Sequence, residues 1–260
     1  MKRLNSMMIL ICLVVLFARG QDNELKVLLD ELQSFEWNQV MLAKEKLENM
    51  EAEAIPYIIP LLQDKSVRKL TNTGDLIYPG ADKFFGHGQI IDYDIDKTDV
   101  RAGWLLEELA FQNFGFTGVH IQENDLSDYI RFHFPKFYNN SRNRKLIDTS
   151  SETEKREMIR DLSTREAEKW WEDQADTWNR FDALVEALGS DDEKRQAKAL
   201  FYIRNGKTSC TGLNKESYKS KIKSIVLELS KSPLKRISEQ SKLILLDTDF
   251  DWLALKPSSN

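Results

Sequence analysis

LENMEAEAIPYIIPLLQD, residues 47–64, joins two helical segments through a tight acidic turn. Leu47 closes one helical segment, the acidic run after it makes a tight turn, and residues 52–63 open a short apolar helix. Pro56 is tolerated in the first turn, where its missing N–H has no helical partner. Pro60 falls beyond that turn and predicts a kink. Upstream, residues 24–50 read as helical. Leu25, Leu28, Leu29 and Leu32 share one face, and Val40, Ala43 and Leu47 repeat the spacing after a break near Ser34. Downstream, DVRAGWLLEELA, residues 99–110, predicts a helix. Asp99 is its candidate N-cap, and Val100, Trp104, Leu105 and Leu109 form its inner face.

A second helical block starts near Ser151. Residues 164–188 carry Trp170, Trp171, Trp178, Phe181, Leu184, Val185 and Leu188, and Gly189 is expected to end that helix in a left-handed cap. Ser190 or Asp191 restarts the chain into a helix running to about Ile203, and Asn205-Gly206 is a turn. Residues 215–230 and 235–247 form a last pair, parted at Ser232-Pro233.

These pairs resemble the units of HEAT-repeat (armadillo-type) proteins. Residues 47–64 look like the junction between such repeats. The family's partner-helix opening is similar to Asp99-Val100-Arg101-Ala102, to Asp192-Glu193-Lys194-Arg195-Gln196-Ala197 and, weakly, to Leu234-Lys235-Arg236-Ile237. The stretch from Phe181 to Leu188 matches the family's first helix. The resemblance covers about half of the chain beyond residue 20 and implies stacked helical pairs that close one continuous core. The unit spacing is irregular, so an irregular helical bundle stays open as the alternative. The expected fold class is all-α: an irregular HEAT-like solenoid with a long inserted loop that has room for a small β-hairpin. The expected organisation is a leader at 1–20, N-terminal repeats at 21–138 with the loop at 65–98 and an aromatic segment at 111–138, a basic linker at 139–150, C-terminal repeats at 151–255 and a tail at 256–260.

The first 20 residues have the layout of a secretory signal peptide: Lys2 and Arg3, an apolar run from Met7 to Phe17, then Ala18-Arg19-Gly20. An uncleaved anchor is the alternative. Export to the periplasm or the medium of a Gram-negative cell is the expected address. Removing the leader takes away three bases and no acids, leaving 34 bases against 42 acids, a net charge of −8. That sign argues against general nucleic-acid binding. Cys210 alone would remain, so no internal disulfide is expected and a lone thiol is the plain reading of it.

Residues 71–98, TNTGDLIYPGADKFFGHGQIIDYDIDKT, are rich in Gly, Asp and aromatics in a chain otherwise poor in Gly. Insertions of this kind tend to share one face of a solenoid, often the binding face. Tyr78, Asp82, Phe84, Phe85, His87, Asp92, Tyr93 and Asp94 are the candidate binding residues, with a structural plug as the competing role. Gln89 to Ile95 alternates as a short strand does. Asp92, Asp94, Asp96 and Asp99 invite a calcium reading, but Lys97 and Gly103 stand where an EF-hand loop needs Gly and Glu. His87, His120 and His133 share no metal-binding spacing, and no catalytic elbow or phosphate loop occurs. No cofactor or metal is expected. Phe111, Phe114, Phe116, Tyr129, Phe132, Phe134, Phe137 and Tyr138 crowd the next segment, as binding anchors or as packing between blocks. Asn139-Asn140-Ser141 fits an N-glycosylation pattern.

The expected function is an exported, non-enzymatic protein-binding module, in one version an inhibitor or immunity-type partner of an envelope enzyme. The alternatives are an enzyme on envelope polymers, using His87 with Asp82 or Asp92 as acid and base, and a purely structural envelope protein. The expected partner is another protein, with membrane contact only through the transient leader.

Overall fold

The computed structural model describes residues 23–81, 88–118 and 123–246, so the expected leader at 1–20 and the expected tail at 256–260 lie outside the described residues. The described chain is mostly helical, with one two-stranded parallel sheet. No helix among the described residues is long and apolar enough to cross a membrane.

The N-terminal part follows its apolar periodicity. Helix α1 (23–32) buries Leu25, Leu28 and Leu32, and α2 (Trp37–Asn49) buries Val40, Ala43 and Leu47. A short α3 (Ile55–Ile58) then tightens into a 3₁₀ helix, Ile59–Gln63. The change falls at Pro60, which has no N–H to donate to the carbonyl four residues back. Helix α4 (Thr98–Ala110) packs against that 3₁₀ turn and is buried on nearly every side, the mark of a central helix. Asp99 does not cap it. Lys97 holds the N-cap position without a side-chain bond, and Asp99 is buried in the first turn against Lys65 and Arg160, each at 3.1 Å. A buried carboxylate needs cations more than a helix end needs a cap.

The inserted loop is fastened at both ends. Arg68 N donates to Asp96 O at 2.6 Å, Thr98 N to Ser66 O at 3.0 Å and Thr71 N to Phe35 O at 2.7 Å. Its strands β1 (Leu76–Ile77) and β2 (Gln89–Ile90) pair in parallel, Leu76 opposite Gln89 and Ile77 opposite Ile90. This corrects the hairpin expectation, because parallel partners need a crossover and a tight turn cannot join them. Leu70, Leu76, Tyr78, Ile91 and Ile95 enter the same core as α1 to α4. Arg101 of α4, fully buried, donates to the backbone carbonyls of Leu32, Ser34, Arg68 and Ile95. Burial pushes its guanidinium down to about 10, with Asp96 opposing the fall, so it stays charged at neutral pH.

The C-terminal part differs from its sequence reading at three places. Residues 164–188 are not one helix: α8 ends at Gln174 and α9 begins at Arg180, capped by Asn179. Gly189 is the last residue of α9 and does not take positive φ, so Ser190 closes the helix without a left-handed turn. The stretch 139–150, read as a linker, contains α7 (Ser141–Thr149), whose N-cap Asn140 accepts from Arg142 N at 2.9 Å. Between them, α5 (Glu123–His133), α6 (Pro135–Tyr138) and the start of α8 (Glu152–Gln174) enclose a small core of Leu126, Ile130, Phe134, Ile147, Ile159 and Leu162. Ser151 and Glu154 form a reciprocal capping box that starts α8. Helices α9 (Arg180–Gly189), α10 (Glu193–Asn205), α11 (Lys215–Ser217), α12 (Lys223–Leu229) and α13 (Lys235–Leu246) build a further core around Leu184, Leu188, Leu200, Ile222 and Ile237. A π turn, Tyr218–Ile222, joins α11 to α12.

Candidate functional site

The crowded aromatics of 111–138 are mostly packing. Phe111, Phe114, Phe116 and Phe134 are buried, and Phe132 is the one fully exposed ring among the described aromatics there. Phe111 ends α4 in the left-handed region, at φ 52°, and so turns its ring away from the first core onto Tyr202, at 5.0 Å edge to face. Gly103, one face of α4, makes room for Phe116: a Cβ there would lie 2.0 Å from its ring. Glu107 fixes the turn that follows, accepting from Gly115 N at 2.8 Å, Phe116 N at 3.0 Å and Thr117 Oγ1 at 3.1 Å.

These constraints leave a cleft of about 540 Å³ between α2, α4 and α10. Lys44 and Glu48 of α2, Glu108 of α4 and Lys198 of α10 line it, with Arg180 and Tyr202 at its base. Lys44 Nζ donates to Glu48 and, at 2.5 Å, to Glu108, and sits 4.6 Å from the centre of the Trp104 ring. Burial alone would lower its pKa, but Glu108 and Glu48 more than reverse that and raise it. Glu108 mirrors it: burial would raise its pKa, and Lys44, with Lys198 and the Trp104 indole behind it, holds it below the usual range. Trp104 Nε1 donates to Glu108 at 2.7 Å. Lys198 donates to Gln112 O at 2.9 Å, and burial depresses its pKa despite Glu107 and Glu108 nearby.

Arg180 has no exposure and lies between the Tyr202 and Phe111 rings, at 4.8 and 5.5 Å. It donates to Glu48 O at 3.1 Å, Thr208 Oγ1 at 3.0 Å and Ser209 O at 2.6 Å. Its second amino group stands 3.5 Å from the Glu48 carboxylate. A side pocket of about 320 Å³ shares Glu108, Lys198 and Phe201 with the main cleft and adds Asp92, Tyr93, Trp104 and Lys194. Tyr93 packs on Trp104 at 6.0 Å, and burial raises its phenol well above the ordinary value.

The loop residues singled out from sequence scatter. Asp92 and Tyr93 line the side pocket, and Gln89 lines the main cleft. Tyr78 is buried and donates to Asp96 Oδ1 at 2.9 Å. Asp94 accepts from Asp96 N at 3.2 Å in the turn before α4. Asp82, Phe84, Phe85 and His87 lie outside the described residues, as does the catalytic pairing that would use His87. No group of three or more metal-ligating side chains occurs among the described residues. Cys210 is buried in the second large core.

Lys44, Glu48, Glu107, Glu108, Arg180 and Lys198 were not singled out from sequence. One signal was present: Arg101 and Glu107 sit inside a helix whose apolar residues leave no outward face, so charges there had to be buried and paired. Comparison with protein-family models, curated proteins and solved structures gives no match.

Proposed function

We propose that the protein is an exported, non-enzymatic protein-binding module on a HEAT-like helical-repeat scaffold, and that it seats a segment of another protein over the cleft between α2, α4 and α10. The carrying observation is the apolar mouth of that cleft. Leu42 and Phe201, 58% and 59% exposed, line it from α2 and α10. Large apolar side chains left in water around a partly buried floor have the anatomy of a protein-binding centre. The floor supports the same reading: its cations and carboxylates neutralise one another, and Lys44 holds the Glu108 carboxyl, which lines it, below the usual range. A general acid needs the opposite shift. The sequential packing of α9 on α10 and α12 on α13 supports the repeat scaffold.

The test is a Leu42→Glu/Phe201→Glu variant, which alters exposed positions and should keep the wild-type circular dichroism. A protein captured from the cell envelope by the wild type, then purified, should bind the variant at least about tenfold more weakly, or about 1.4 kcal/mol. Equal affinity for both would remove the cleft as the docking surface.

A further inference from the structure

We propose that the surface of α6 and α7 binds the anionic headgroups of a lipid bilayer, and so holds the folded protein at a membrane face in addition to any contact its leader makes. The observation is a segregation of charge. Between Asp128 and the exposed Asp148 near the end of α7, residues 129–147 contain Arg131, Lys136, Arg142, Arg144 and Lys145 and no acid, while the rest of the chain has 32 bases against 42 acids. Arg131 pairs with Asp128 at 3.1 Å. Among the described residues Lys136, Arg142, Arg144 and Lys145 pair with no carboxylate, although all four are exposed.

The segment presents these charges on a fixed frame. Asn140 caps α7, Asn143 Nδ2 donates to Phe137 O at 3.0 Å, and the Arg144 guanidinium lies 5.3 Å from the Tyr138 ring. Ile147 alone of α7 is buried. At about 100° per residue the opposite face carries Arg142, Lys145 and Leu146. Leu146 is half exposed, at 50%, and Phe132 on the adjoining α5 is 73% exposed. An exposed leucine on the same helix face as unpaired cations fits a headgroup layer, where the cations meet phosphates and the apolar group passes below them. A nucleic acid would use the cations and leave Leu146 and Phe132 in water. The acidic remainder of the chain does not forbid this, because charges beyond about 8 Å are largely screened at physiological ionic strength.

The experiment is sedimentation of the full chain with vesicles of phosphatidylcholine alone or mixed with phosphatidylglycerol. Three proteins are compared: wild type, Arg142→Glu/Arg144→Glu/Lys145→Glu, and a control with the same charge change elsewhere, Lys215→Glu/Lys219→Glu/Lys223→Glu. Because all carry the same leader, its contribution cancels. The expected result is wild-type binding that requires phosphatidylglycerol, weakens with salt, falls at least about tenfold in the α7 variant and survives in the control. Equal losses in the two variants would assign the effect to net charge and overturn the proposal. So would indifference to phosphatidylglycerol, or retention on polyglutamate or DNA without retention on the vesicles. Circular dichroism of all three proteins confirms that a loss is not unfolding.

Discussion

Replacing Arg101 by Met tests whether the inserted loop is part of the fold or a removable cover. Arg101 is fully buried and satisfies four backbone carbonyls from three separate segments: Leu32 and Ser34 at the end of α1 and just beyond it, Arg68 where the loop begins, and Ile95 where it ends. The methionine keeps most of the stem volume and removes every donor. Bonds to Ile95 and Leu32 are wholly buried, and each orphaned carbonyl there costs about 1–3 kcal/mol. The bonds to Ser34 and Arg68 are partly buried, so water recovers some of their loss. Relief from burying a guanidinium offsets part of the total. The net destabilisation expected is about 3–5 kcal/mol, a large fraction of the roughly 5–15 kcal/mol typical of a domain. Urea unfolding should show that change in free energy, and the thermal midpoint should fall by about 6–20 °C. Amide exchange should accelerate in residues 66–71 and 89–97 while α9 and α10 keep their protection. A loss under about 1 kcal/mol, or exchange that speeds up evenly everywhere, would refute the claim that this side chain ties the loop to the core.

Gly103→Ala places a Cβ 2.0 Å from the Phe116 ring, so it should cost about 1–3 kcal/mol by urea unfolding, and Phe116→Leu in the same chain should restore part of it. Asp192→Ala removes the α10 N-cap, which accepts from Lys194 N at 2.8 Å and Arg195 N at 3.1 Å, together with the bond from Asn113 at 3.0 Å; calorimetry should show a loss of about 1–2 kcal/mol. His133 gives a pH dependence. Burial lowers its pKa from 6.5, with Lys194 adding to the fall and Glu107, Asp192 and a bond to Phe114 opposing it. The unfolded chain therefore takes up the proton first as pH falls, and stability should drop from about pH 6.5 downward. His133→Phe keeps the ring stack on Tyr129, so its thermal midpoint should fall less than wild type between about pH 7.5 and about 5.5, and parallel curves would contradict this.

Local patterns carried much of the helical layout. The leucines of α1, the pair of prolines after α2 and the Ser151 start of α8 each act within a turn or two, and each stands where the pattern placed it. The errors fall where a distant partner overrides the local preference. Asp99 looks like a cap until Arg160 and Lys65 arrive beside it. Gly189 is free to take a left-handed turn, and the chain has no need of one. The loop alternates like a hairpin, yet Gln89 finds its partner in Leu76 through a crossover. The cleft was least legible. Lys44 meets Glu108 and Arg180 meets Glu48 only through packing, across 64 and 132 residues of chain. Asp92 and Tyr93 were reachable because aromatic and acidic residues in a Gly-rich loop mark an exposed rim, but nothing in their neighbourhood names the helices they face.

How the cleft is held decides how it can receive anything. The turn after α2 is latched to the turn after α10 by bonds on both sides. Thr208 Oγ1 donates to Glu48 at 3.0 Å, Ser209 N to Asn49 Oδ1 at 2.6 Å and Thr211 N to Glu51 Oε1 at 2.6 Å, with Arg180 bridging Glu48 O and Ser209 O behind them. Glu51 holds positive φ, 49°, a conformation that costs a non-glycine residue about 1–2 kcal/mol and is kept here along with its bond to Thr211. Opening the base of the cleft would break all of these together and leave the Glu48 carboxylate with Lys44 of its own helix in place of Lys44, Arg180 and Thr208 together. The floor is therefore preformed, and an occupant must match its shape and not remake it. Adaptation is left to the rim, where the Leu42 and Phe201 side chains stand in water. On the proposed reading, a preformed, self-neutralised floor under an exposed apolar rim would reward an inserted segment for the water it displaces and ask it for no charge of its own.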